Sequence, residues 1–184
     1  MYSSPPITES ELISQCKKGS LKYQEQLYKK FYGYAMGVSL RYSLYRDDAM
    51  EVVNDAFIKV FNSIKSYDDT KSFKAWLRTI VVNTAIDRRR KEMKFQLNIE
   101  LDNAIPISQH SGVLENLNAR DIIALMQTLP VLQLTIFNLY EIDGYNHDEI
   151  ADMLDIPASS SRVYLSRAKE KLRKLIKTET QKHG

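Results

Sequence analysis

The alternation of apolar and polar positions predicts a chain that is helical from end to end, with one interruption. Thr8 and Glu11 have the spacing of a capping box, in which each side chain satisfies a free backbone donor of the first turn. A helix carrying Leu12, Ile13 and Cys16 is therefore expected to start there and to stop at Gly19. Leu27, Phe31, Tyr34, Val38 and Tyr42 then recur at helical spacing, predicting a longer helix over 21–45. A third helix opens at Asp47 and Asp48, where negative charge suits a helix amino terminus, and buries Val52, Val53, Ala56, Phe57, Val60, Phe61 and Ile64. After the break "SYDDTKS", Ser72 can cap a helix with Phe73, Trp76, Leu77, Ile80 and Ile86 inward, ending in "DRRRKEMK".

From Phe95 to Leu114 the periodicity fails, and a stretch of about twenty irregular residues reads as a linker between domains. The remainder predicts four helices. The first spans 115–128, and the second has Pro130 in its first turn and runs to Tyr140. "IDGY" makes a turn, and Asn146 with Glu149 forms a second capping pair for the short helix "HDEIADML". The last helix follows "DIPA", with Val163, Leu165, Ala168, Leu172 and Leu175 inward. The expectation is an all-α fold of two small helical domains, 8–94 and 115–177, joined by a flexible linker over 95–114.

Composition narrows the picture. The chain has 184 residues and is 43% hydrophobic, enough for two small cores, with few Gly and Pro. The single Cys16 cannot form an internal disulfide, and the amino terminus lacks the basic start and apolar run of a signal peptide, so a cytoplasmic protein is expected. No apolar stretch reaches the length of a membrane span, so membrane insertion is not expected. Net charge is only +3, but it is segregated. Residues 71–94 and 162–177 each carry +6, whereas 47–69 carry −4 and 95–121 carry −3. Two basic patches and an acidic helix point to two anionic contacts and one different partner.

The stretch "PASSSRVYLSRAKEKLRKLIK" places three serines before a strongly basic helix. A short helix, a tight turn and a second helix with a basic outer side make a helix-turn-helix, whose second helix enters the DNA major groove amino end first. Small residues there let the backbone approach, Ser159 or Ser160 can cap the helix, and Arg162, Tyr164, Ser166 and Arg167 project toward the groove. Lys169, Lys171 and Arg173 can lie along the phosphates. The plainer alternative is an amphipathic helix with a solvated basic face. Ala151, where two helices must come close, and Ile156, where the turn needs an apolar plug, favour the DNA reading.

Both halves, and their order, resemble the extracytoplasmic-function sigma factors. "RDDAMEVVNDAFIKVFNSIKSYDDTKSFKAWLRTIVVNTAIDRRRK" is similar to sigma region 2, and "LPVLQLTIFNLYEIDGYNHDEIADMLDIPASSSRVYLSRAKEKLRK" to region 4. The resemblance implies that Glu51, Asn54, Asp55 and Phe61 grip core RNA polymerase. It implies that the loop 66–74 and the helix with Asn83, Asp87 and Arg88 capture the −10 element of promoter DNA. The helix from Ser159 to Arg173, opening on Ser159, Ser160 and Ser161, would read the −35 element. Melting needs a basic track and a loop that holds an unstacked base, for which Tyr67, Lys71, Lys74 and the run Arg88, Arg89, Arg90, Lys91 provide the residues. An anti-sigma factor is expected as a further partner, and no obligate homo-oligomer.

Several of these residues have a structural alternative. Trp76 fits core packing better than base stacking, Asn83 can satisfy its own helix, and Asp87 can order the arginines by ion pairing. The departures from the family pattern are Asp155, where relatives carry Gly at the turn, and the three serines, which replace Gly-Thr-Val. An enzyme is disfavoured because His110, His147, His183 and Cys16 lack metal-ligand spacing and no phosphate loop appears, so no cofactor and no metal are expected. The remaining rival is a dimeric helix-turn-helix regulator that binds an operator without polymerase. The second basic patch at 88–94 speaks against it.

Overall fold

The computed structural model describes residues 7–43, 45–99, 126 and 128–182, and every regular element among them is helical. The chain divides into two compact units, Met1–Arg88 and Arg89–Gly184.

In the first unit, α1 (Glu9–Lys17) starts with the expected capping box, Thr8 and Glu11 satisfying each other's backbone donors. The hydrogen bonds from Thr8 hold the Glu11 carboxyl below its usual pKa. Gly19, at φ +81°, takes the left-handed conformation that reverses the chain into α2 (Leu21–Ser39). This helix stops well short of the expected Tyr45. Leu40 still bonds the Met36 carbonyl four residues back, after which the chain tightens, Arg41 and Tyr42 bonding carbonyls three residues back, and Tyr42 still reaches the core at 3% exposure. The Ser39 hydroxyl donates to the carbonyl of Ala49 at 3.0 Å inside the α2 contact with α3 (Arg46–Ser63). A small buried hydroxyl thus satisfies an acceptor where two backbones come close.

The apolar face of α3 is as the periodicity placed it, except that Phe61 is only half-buried against Phe57. A 3-10 turn (Ile64–Ser66) closes it. The Ser72 carbonyl accepts the first bond of α4 (Phe73–Ile99) from Trp76. Phe73, Leu77 and Ile86 are buried as expected, joined by Val81, Val82 and Ala85, while Trp76 and Ile80 are half-buried. The helix runs five residues past the expected end at Lys94, because nothing from Phe95 to Ile99 breaks it. Burial pushes the Cys16 thiol up to about 11, which keeps it an inert packing group.

In the second unit, the helix expected over 115–128 lies outside the described residues apart from Met126 and Thr128. Pro130 sits at the cap position ahead of α5 (Val131–Phe137), which widens into a π-helical turn (Asn138–Ile142). Gly144, at φ +79°, makes the "IDGY" turn. Asn146 and Glu149 form the expected capping box of α6 (His147–Leu154). Asp155 then adopts φ 58°, ψ 48°, the left-handed turn conformation that a short polar side chain tolerates. The final helix, α7 (Ala158–Lys182), packs Ala168 and Leu172 with Leu129, Leu134 and Phe137, and Leu165 is buried as well.

Candidate nucleic-acid and polymerase interface

The first unit holds its loop between α3 and α4 from below. Tyr67 is buried at 6% exposure, with ring centroids 4.9 Å from Trp76 and 5.6 Å from Phe73, and its hydroxyl donates to the carbonyl of Lys71. Lys17 at the end of α1 donates to the Tyr67 carbonyl at 2.9 Å and pairs with Asp69 at 2.6 Å. Thr70 donates to Asp68 through both backbone and hydroxyl, and these bonds hold the Asp68 carboxyl below its usual range. Tyr67 is thus the floor of the loop and is not exposed for stacking as its expected role in base capture would require. Trp76 belongs to the same aromatic cluster. Desolvation, then the carboxylates of Asp69, Glu9 and Asp68, raises the Tyr67 pKa.

Above that floor, Lys71 and Lys74 are exposed, with the Lys74 ammonium 5.7 Å from the Tyr34 ring centroid. Asn83 is exposed on α4, and so is Lys91, while Arg88, Arg89 and Arg90 are half-buried. Asp87 pairs with Lys59 of α3 at 3.3 Å. Arg88 reaches α3 as well, donating to Glu51 at 2.5 Å and to Asp48 at 3.2 Å. On the same helix Asn54 accepts from the Tyr28 hydroxyl at 3.0 Å, and Asp55 and Ile58 are exposed. Glu51, Asn54, Asp55 and Phe61 therefore share an accessible stretch of α3, with Phe61 as its half-buried member.

The second unit separates the serines. Because the amide of Ser161 bonds the Pro157 carbonyl at 3.2 Å, the helix starts at Ala158, and Ser159 and Ser160 lie inside its first turn rather than capping it. Their backbone N–H groups, like any in a first turn, lack intrahelical acceptors. Ser161 is wholly buried, its hydroxyl 2.9 Å from Nδ1 of His147, so it faces the partner helix and not a groove. The reason is phase: Ser161, Leu165, Ala168 and Leu172 follow one stripe. That same phase turns Val163, expected inward, to 47% exposure. Ser166, Arg162 and Arg167 are exposed, and Tyr164 is half-buried. Lys169 pairs with Glu141 at 2.5 Å and lies 5.8 Å from the Tyr140 ring centroid, while Lys171 donates to the Thr128 carbonyl at 2.8 Å. His147 stacks on Tyr140 at 4.6 Å, and burial, then the Arg162 charge, lowers its pKa.

Three contributors escape a sequence reading. Lys17 lies fifty residues from the loop it holds. The His147 partnership with Ser161 crosses the turn between two helices. Only Asp48 left a signal, since it stands one turn before Glu51.

Family comparisons place these elements. The sigma-70 region 2 model matches residues 27–95, which span most of α2 through α4, and the sigma-70 region 4 model matches 119–172, which includes α5, α6 and most of α7. The sigma-E factor of Haemophilus influenzae, an ECF RNA polymerase sigma factor, is 26% identical over 183 residues, covering 92% of this chain and 96% of that protein. The chain belongs to the extracytoplasmic-function sigma factors. This sigma factor also resembles sigma-E of Escherichia coli K12, at 27% identity with 91% of this chain and 93% of the relative covered. SigW of Bacillus subtilis is 25% identical, with 90% and 95% covered. Among solved structures, the sigma factor RpoE from Bartonella quintana, in complex with the anti-sigma factor NepR, shares the fold. Its TM-score is 0.51 at 20% identity, covering 83% of this chain and 96% of that one. As a sigma factor, the chain directs transcription initiation. No described helix of it is long and apolar enough to cross a membrane.

Proposed function

We propose that this sigma factor binds core RNA polymerase through the α3 face of Glu51, Asn54, Asp55 and Phe61, and reads a promoter with two separate surfaces. The −10 surface is the loop 66–74 with Lys71 and Lys74, together with Asn83 and the Arg88 to Lys91 run on α4, Tyr67 holding the loop from inside. The −35 surface is the outer side of α7, with Ser159, Ser160, Arg162, Tyr164, Ser166 and Arg167. Ser161 supports it from within. Lys169 borders it from its pair with Glu141. The working division is 8–94 for region 2, 95–114 for the linker and 115–177 for region 4.

The observation that carries the reading is the setting of α7. Its stripe of Ser161, Leu165 and Ala168 is buried, its outer side presents Arg162, Ser166 and Arg167, and Ser159 in its first turn, after the left-handed turn at Asp155, is exposed. That geometry suits a major groove, where arginine can bond guanine edges and first-turn N–H groups can bond phosphate.

The protein acts in the cytoplasm by binding alone, without catalysis or cofactor, and forms no obligate homo-oligomer. An anti-sigma factor is a further partner, supported by the NepR-bound state of the Bartonella quintana relative. The test is run-off transcription on pooled genomic fragments with purified core polymerase, with and without the protein. Defined transcripts only on addition are the expected outcome. No transcripts, with DNA bound equally well without polymerase, would replace this reading with the operator-binding regulator.

A further inference from the structure

The guanidinium of Arg88 sits where the two proposed surfaces of the first unit meet. One of its nitrogens donates to Glu51 and another to Asp48, both on α3. Glu51 and Asp48 are three residues apart and so share a helical face. Two carboxylates around one guanidinium leave that spot net negative, which repels a phosphate. The adjacent pair of Lys59 with Asp87 ties the same two helices together, so the arrangement does not depend on one long side chain. The partners differ in access: Glu51 keeps 61% of its side chain exposed, whereas Arg88 keeps 32% and Asp48 31%. A cation arriving from outside therefore meets Glu51 first.

We propose that Asp48 and Glu51 stand in for DNA phosphate on Arg88 in the free protein, and that a basic group of the polymerase, on reaching Glu51, releases the guanidinium to the −10 strand. The inference rests on reading Glu51 as polymerase-facing and Arg88 as DNA-facing. It makes two carboxylates part of what renders DNA binding dependent on polymerase. Thermodynamic linkage requires the reverse effect too: DNA engaging Arg88 leaves Glu51 more available to polymerase, by the same factor.

The test uses the full chain and a fluorescein-labelled single strand carrying the −10 segment mapped by the run-off assay. Binding is measured without polymerase at about 50 mM salt, where phosphate contacts are strong. The variant is Asp48→Asn, and Asp47→Asn is its control, because it removes the same charge from the same helical turn. Asp48→Asn is expected to tighten binding about two- to five-fold, the range that partly exposed ion pairs support, and Asp47→Asn by clearly less. In an Arg88→Ala background the gain from Asp48→Asn disappears, and with core polymerase present it shrinks. Equal gains from both asparagine variants, no gain from Asp48→Asn, or a gain that persists without Arg88 would overturn the proposal. A separate arm tests its foundation: if Arg88→Ala leaves strand binding by the polymerase-bound protein unchanged, Arg88 does not face DNA, and the −10 assignment fails together with the inference.

Discussion

Two helices of this protein carry comparable positive charge and present their arginines differently. On α4, Arg88 is held by Glu51 and Asp48, and its neighbour Asp87 is held by Lys59, so charge at that surface is matched across to α3. On α7, Lys169 pairs with Glu141 and Lys171 donates to the Thr128 carbonyl, while Arg162 and Arg167 stand exposed on the outer side. Sequence charge is the same, +6 in each segment. The difference teaches that net charge measures how many cations a surface owns, not how many it offers. An occupied set suits a contact that forms only once another partner has bound. An open set suits a surface that meets duplex DNA unaided.

The strongest way to break the comparison is at α3. Reversing Glu51 and Asp55 to Lys is expected to cut core polymerase affinity by about a hundred-fold, as loss of paired interface charges does, while leaving duplex binding by the second unit unchanged. Competition against a labelled sigma factor reads the first, and a mobility shift on −35 duplex reads the second. Equal loss of both would show that the two surfaces are not separate. Next in size, Arg162→Ala and Arg167→Ala should each weaken −35-dependent initiation by about ten-fold, the scale of a lost guanine contact, with no effect on polymerase binding. Unchanged promoter use would remove α7 from its role.

A smaller effect is expected at the loop. Lys17→Ala removes a bond to the Tyr67 carbonyl and the pair with Asp69, and should reduce strand opening several-fold, about the net worth of one ordinary hydrogen bond, while −35 binding holds. Permanganate reactivity of unpaired thymines would measure it. The smallest effect concerns pH. His147 is held neutral in the folded second unit, its pKa lowered from 6.5, so the unfolded chain takes up the proton first as pH falls. The stability this contributes is present above 6.5 and lost below it. Thermal melts between about pH 5 and 8 should show that loss, and His147→Asn should flatten it.

Much of the fold was legible because capping and periodicity are local. The capping pairs Thr8 with Glu11 and Asn146 with Glu149 define their helices in four letters each. The buried face of α3 follows from spacing alone. Local pattern falls short where structure is decided by non-local contacts or by helical phase. The stop of α2 at Ser39 is decided by how Tyr42 and Ser39 meet the core and α3, which no window around them reveals. Val163 is exposed and Ser161 buried because the stripe of Ser161, Leu165, Ala168 and Leu172 sets the phase of the helix, not the apolar character of a single side chain. Tyr67 has the aromatic character and loop position of a base reader, yet it is buried. The contacts with Phe73 and Trp76 that make it a floor depend on a turn whose shape is fixed by Asp68 and Thr70.

The burial of Ser161 bears on how such a protein could acquire a new promoter. The three serines at the head of α7 look interchangeable, but Ser161 is sealed against His147 with no exposed surface, and a larger residue there would push two helices apart. Ser159 is exposed and Ser160 only half-buried. Drift, or a randomised library, can therefore explore sequence preference at those two positions and at Val163 without unfolding the domain, while variation at the third is filtered by stability before promoter choice is ever tested.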